Sequence, residues 1–133
     1  MNRLAAVRAF ALFDLVVTGL LAVPWVSDRV LALLLTWFGL DGSPGDCSFD
    51  PLMMTFVNLA GVLGVLWNGR RYVAPTADLV RWDMWGRVAV AALLVFYVVA
   101  KDVPNVLLLF VVSELAGAAA EKRWLATPPQ PSA

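Results

Sequence analysis

Residues 84–100 read MWGRVAVAALLVFYVVA, a stretch whose one charge is Arg87. As an α-helix at about 1.5 Å per residue it runs about 26 Å. That approaches the roughly 30 Å hydrocarbon layer of a bilayer, so a membrane-crossing helix is expected here. Comparable apolar blocks lie at about 9–26 (opening AFALFDLVVTGLLAVPW), 51–68 (PLMMTFVNLAGVLGVLWN) and 105–121 (NVLLLFVVSELAGAAAE). The expected fold is therefore an all-α integral membrane protein, with four transmembrane helices in a bundle and spans at about 9–26, 51–68, 84–100 and 105–121. These form one domain, 1–126, followed by a disordered tail over 127–133, TPPQPSA.

Between the first two blocks, residues 30–40 (VLALLLTWFGL) are apolar but short. About 16 Å of helix cannot cross the bilayer. The expectation is a short interfacial or re-entrant helix at about 28–40, with Ser27 and Asp28 as N-cap candidates. A polar loop of turn formers follows, DGSPGDCSFD over 41–50. Asn68 and Gly69 are expected to end the second span, residues 72–83 to form a polar connection, and Pro104 to lie near the start of the fourth. The first block follows Arg3 and Arg8, as a signal peptide would. No small-x-small cleavage site follows it, so an uncleaved anchor is expected.

Orientation follows from the basic residues. With the N-terminus inside, the inner segments carry Arg3, Arg8, Arg70, Arg71, Arg81, Arg87, Lys122 and Arg123, and the outer loops carry Arg29 and Lys101. This predicts a bacterial-type cytoplasmic (inner) membrane protein, multi-pass, with both termini cytoplasmic. Trp25, Trp37, Trp67, Trp82, Trp85 and Trp124 fall mostly at the predicted interfaces, as an aromatic belt does.

Composition narrows the chemistry. The chain is 61% hydrophobic and 15% charged, with a formal net charge of zero. No basic stripe exists to neutralise phosphates, so nucleic acid is not an expected partner. There is no histidine and one cysteine, Cys47. An intramolecular disulfide cannot form, and zinc, haem and copper sites lose their usual ligands. Ser-His-Asp and Cys-His catalysis is excluded for want of an imidazole. No cofactor, metal site or catalytic constellation is expected.

Three charges inside the apolar blocks are the lead to a site: Asp14, Arg87 and Glu114. A charge in hydrocarbon normally faces the bundle interior, a partner or water. Counted from Arg8, Asp83 and Glu121 as membrane edges, the three lie about 9, 6 and 10 Å deep. They are expected to meet as a buried ionic site near the cytoplasmic end. It would bind a lipid headgroup, carry protons or hold a substrate amine; equally, it would fix helix register. Asn58 is near the middle of the second span, on one face with Thr55 and Gly61, and needs a partner across a helix interface or on a ligand. Thr18, one turn beyond Asp14, extends that polar face. The pairs Ala60/Gly64 and Ser113/Gly117 suit close helix contacts.

Four spans in about 130 residues with a short helix after the first resemble the architecture of DoxX-like small membrane proteins. No motif residue carries over from that likeness. The acid Asp14 in the first helix also resembles small multidrug transporters, whose first helix bears an essential acid; the outer loop with its half-helix departs from that pattern. The function expected first is non-enzymatic binding of a membrane lipid or a membrane partner, as an accessory subunit or an immunity-type protein, with a homodimer as one form of partner. The alternative is a small oligomeric proton- or cation-coupled transporter using Asp14 and Glu114. The lesser alternative is a membrane enzyme on an apolar substrate, with Asp14 and Glu114 as acid and base and Arg87 as clamp.

Overall fold

The computed structural model describes residues 3–38, 49–101 and 103–126. The tail 127–133 and most of the loop 41–50, with Cys47, lie outside the described residues. So do residues 39 and 40 of the expected short helix. Among the described residues the chain is all-α, with five helices: α1 (Arg3–Ala22), α2 (Val26–Trp37), α3 (Pro51–Val73), α4 (Ala77–Lys101) and α5 (Leu107–Leu125). Three of them, α1, α3 and α4, are long and apolar enough to cross a membrane. α5 has the length, but its 19 residues include Glu114, Glu121, Lys122 and Arg123.

Local chemistry explains where these helices start. α3 opens with Pro51, whose missing N–H costs nothing in a first turn. Asp50 caps it: its Oδ1 accepts the Met53 N–H at 3.0 Å, and its carbonyl accepts the Met54 N–H at 3.0 Å. Thr76 does the same for α4, its hydroxyl oxygen accepting from Leu79 N at 3.3 Å and its carbonyl from Val80 N at 3.0 Å. Asp78 in the first turn of α4 and Lys101 in the last complement the helix dipole.

Two expected boundaries move. Asn68 and Gly69 do not end α3, which runs on to Val73. The polar segment 72–83 is mostly helix, and the α3–α4 connection shrinks to residues 74–76. The physical reason is tertiary: Arg71 and Asp83, taken from sequence as flanking polar residues, are buried and paired with each other. Their pairing rewards a helical backbone on both sides of a tight turn. Ser27 also departs from its expected capping role. Trp25 is the N-cap of α2, and Ser27 sits in the first turn with its N–H donated to Val23 O at 3.0 Å.

By contact the chain divides into two compact units, Ala11–Arg70 and Met1–Phe10 with Arg71–Ala133. Within the first, α1 and α3 run antiparallel. Gly61 meets Leu21 and Ala22, Gly64 meets Thr18, and Gly69 meets Leu15. A Cβ on Gly61 would stand 2.6 Å from Leu21 C and 2.7 Å from Ala22 Cα, so only glycine permits that backbone approach. The expected small pair Ala60/Gly64 is thus replaced by Gly61/Gly64, while Ala60 is exposed. Asn58 joins this seam to the α1–α2 break: its Nδ2 donates to Leu21 O at 2.7 Å and to Ser27 Oγ at 2.8 Å.

Within the second unit α4 packs on α5. The buried apolar residues here are small: Val7, Val80, Ala91, Val111 and Ala118. The buried polar set is Arg71, Asp83, Arg87 and Glu121, while Leu93, Phe96, Val99, Leu109 and Val112 are exposed. Large apolar side chains outside and charges inside is the reverse of a water-soluble domain.

Candidate functional site: a buried ion cluster

Five ionisable side chains converge at the α3 terminus, α4 and α5. Arg87 is the hub. Its Nε donates to Asp83 Oδ2 at 2.9 Å, one helical turn back on α4. Its Nη1 donates to Glu114 Oε2 at 2.9 Å on α5. Nε also lies 3.5 Å from Glu121 Oε1. Arg71 donates from Nη1 to Glu121 Oε1 at 2.9 Å and pairs with Asp83 Oδ2. Two guanidinium groups of like charge are held together because they share two carboxylate oxygens, one on Asp83 and one on Glu121.

The helix period builds this arrangement. Glu114 and Glu121 are seven residues apart on α5, about 10 Å along the axis and on one face. Gly117 lies between them. A Cβ there would stand 2.7 Å from Arg87 Nη1 and 2.9 Å from Arg87 Cζ. The bare backbone of Gly117 is therefore the seat of the guanidinium, which grips one carboxylate on either side. The Phe10 ring of α1 covers it, with its centroid 5.9 Å from Arg87 Cζ, within cation–π range.

Burial separates the members. The side chains of Arg71 and Glu121 are 0% exposed, whereas that of Glu114 is 24% exposed. Glu114 is thus the most exposed member of the cluster. Chemically, the cluster holds α5 in register against α4, since a slide of one turn, about 5.4 Å, separates both glutamates from their guanidinium partners.

Of the residues singled out by sequence, the structure brings Arg87 and Glu114 together in a direct ion pair. Asp14 lies on α1 in the other unit and is half-buried, and its carbonyl accepts the Thr18 hydroxyl at 2.6 Å. Thr18 turns its hydroxyl to its own helix and its Cγ2 side to Gly64. Asn58 makes interhelical hydrogen bonds within Ala11–Arg70. Arg71, Asp83 and Glu121 escaped the sequence reading. Asp83 and Glu121 served there as membrane edges for counting depth, yet both are buried members of the cluster. The signal that finds Asp83 and Glu121 is register, Asp83 to Arg87 at i,i+4, and Glu114, Gly117 and Glu121 on one helical face; Arg71, whose partners are on other helices, carries no such signal. Among the described residues no group of three or more His, Cys, Asp or Glu side chains has an arrangement suited to a metal ion. Comparison of the chain with protein families, curated proteins and solved structures gives no match.

Proposed function

We propose that this chain is a small non-enzymatic protein of the bacterial-type cytoplasmic membrane that binds a membrane lipid or a partner membrane protein. In this reading it crosses the bilayer four times, as a bundle, with both termini inside. α5 is the fourth span despite its charges. Glu114 and Glu121 are matched by Arg87 and Arg71, and a paired charge enters hydrocarbon at far lower cost than a lone one. The basic residues clustered on one side of such a topology support the orientation.

The observation that carries this reading is that Arg71 and Arg87 both clamp Asp83 and Glu121 in a buried cluster that Glu114 joins through Arg87. Such a cluster acts as a joint that fixes the helices. A transport site needs carboxylates that exchange protons or cations with water, and an acid–base pair needs access to substrate. Glu114, partly exposed at the rim, is the group offered to a lipid amine or to a basic side chain of a partner.

Native mass spectrometry of protein purified in mild detergent tests this. The expected result is a stoichiometric lipid or partner chain, retained in Asp14→Asn and depleted in Glu114→Gln. A bare chain whose proteoliposomes show gradient-driven proton uptake, abolished by Asp14→Asn, would overturn the proposal in favour of a transporter.

A further inference from the structure

We propose that α2 lies in the plane of the membrane surface and presents a Trp–Arg–Leu–Trp stripe to phospholipid headgroups at the leaflet where α1 ends. This rests on the membrane reading above and adds a lipid-contacting surface to it. Within α2, Arg29, Leu33 and Trp37 recur every fourth residue and so share one side of the helix, and Trp25 stands immediately before its first residue. All four are exposed: Trp25 at 77%, Leu33 at 53%, Trp37 at 78%, and Arg29 in the same class. Ser27 and Ala32, off this stripe, are buried.

Three observations commit the stripe to the lipid–water boundary. The first is position. α1 is long and apolar enough to cross, and only residues 23–25 separate it from α2, so α2 begins at a membrane face. Its 12 residues span about 18 Å, too little to cross about 30 Å of hydrocarbon. The second is rotation. Asn58 holds Ser27 Oγ at 2.8 Å and Leu21 O at 2.7 Å, which fixes the buried side of α2 and leaves Arg29 on the other. The third is Trp25 itself, the one described non-glycine residue at positive φ, 66°. A bulky residue rarely adopts that backbone. The strain is held in place at the start of the stripe, where it sets a highly exposed indole.

The chemistry of the stripe selects the occupant. Tryptophan indoles prefer the headgroup level, where the ring is in acyl boundary and the N–H is in water. A helix that dipped into the bilayer would carry exposed Arg29 into hydrocarbon, which is costly. A helix lying flat leaves Leu33 against acyl chains and the Arg29 guanidinium against lipid phosphodiesters. Anionic headgroups then strengthen the contact.

The test uses the full chain reconstituted in phosphatidylcholine vesicles, with or without phosphatidylglycerol. The lipids carry bromine near the headgroup or near the chain ends, and tryptophan emission is compared between the natural chain and Trp25→Phe/Trp37→Phe. Both rings are exposed, so the fold survives their replacement, and Trp37→Phe alone repeats the test without touching the α1–α2 break. The difference emission should be quenched several-fold more by shallow bromine than by deep bromine. With phosphatidylglycerol the shallow quenching should rise, and Arg29→Gln should remove that rise. Inorganic phosphate added without phosphatidylglycerol should leave the emission unchanged; an equal response to it would overturn the headgroup assignment. Deep quenching exceeding shallow would make α2 re-entrant and overturn the inference. Difference emission unquenched by either, while the remaining tryptophans are quenched, would overturn it as well. Were no tryptophan quenched at all, the membrane reading itself would fall.

Discussion

Glu121 accepts from Arg71 at 2.9 Å, lies 3.5 Å from Arg87, and has no solvent exposure. Removing one partner of a buried ion pair leaves the other charge uncompensated, at a cost of about 3–5 kcal/mol, while replacing the pair by apolar residues of similar volume is often neutral. Glu121→Gln should therefore lower stability by about 3 kcal/mol or more in reversible unfolding from mixed micelles. The pair replacement Arg71→Met/Glu121→Met should recover most of that loss. A Glu121→Gln effect below about 1 kcal/mol would mean the cluster does not hold the helices. Sequence could isolate Arg87 and Glu114 because each interrupts an apolar run. Arg71 and Glu121 sit beside other charges, Arg70 and Lys122, and a charge at the end of an apolar run is ordinarily an interfacial anchor. What buries them is the neighbouring helix, and that is not written in the local composition. Arg70, next to Arg71, is exposed, as the anchor reading requires.

Helix elements here meet through absent side chains. Gly61 faces the backbone of α1, Gly117 faces a guanidinium, and a Cβ on Gly19 would meet nothing within 4 Å. The three positions should therefore respond differently to alanine. Gly61→Ala must push two backbones apart and should cost about 2–3 kcal/mol, the upper range for overpacking. Gly117→Ala displaces a side chain that can swing, but at the expense of its ion pairs, and should cost about 1–2 kcal/mol. Gly19→Ala should be neutral or gain a few tenths of a kcal/mol from helix propensity. The same micelle unfolding orders them, and equal effects at all three would contradict the packing described. At this scale the sequence conveyed the helices well, since hydropathy over 17 residues or more survives any packing arrangement. It conveyed their ends poorly. The turn at residues 74–76 is set by Thr76 capping α4 and by the Arg71–Asp83 pair, and a polar segment such as 72–83 looks the same from sequence whether it is coiled or helical. The short helix was legible as an element, while its true start depended on Trp25 taking an uncommon backbone and on Asn58 claiming the Ser27 hydroxyl.

For the molecule as a whole, the fate of α5 decides the number of crossings. α1, α3 and α4 qualify by length and composition, and α5 is set apart by the charges it carries. A protein with three spans has its termini on opposite sides of the membrane; one with four has them on the same side. In the four-span reading proposed above, pairing is what admits α5: Glu114 and Glu121 would enter the bilayer bonded to arginines of the same chain, while Lys122 and Arg123, exposed at the helix end, would meet the inner headgroup layer. Export-sensitive reporter fusions should accordingly report the inside at the N-terminus, at the 74–76 connection and after Ala126. They should report the outside in the 41–48 loop and between α4 and α5. If the pairing is what admits α5, the topology will depend on it: Arg71→Ala/Arg87→Ala should move a reporter placed after Ala126 to the outside in a large share of molecules. Charge-conserving Arg71→Lys/Arg87→Lys should leave it inside. A reporter after Ala126 that is outside in the natural chain would mean three crossings, and α5 would then lie on the far surface with its glutamates separated from Arg71 and Arg87.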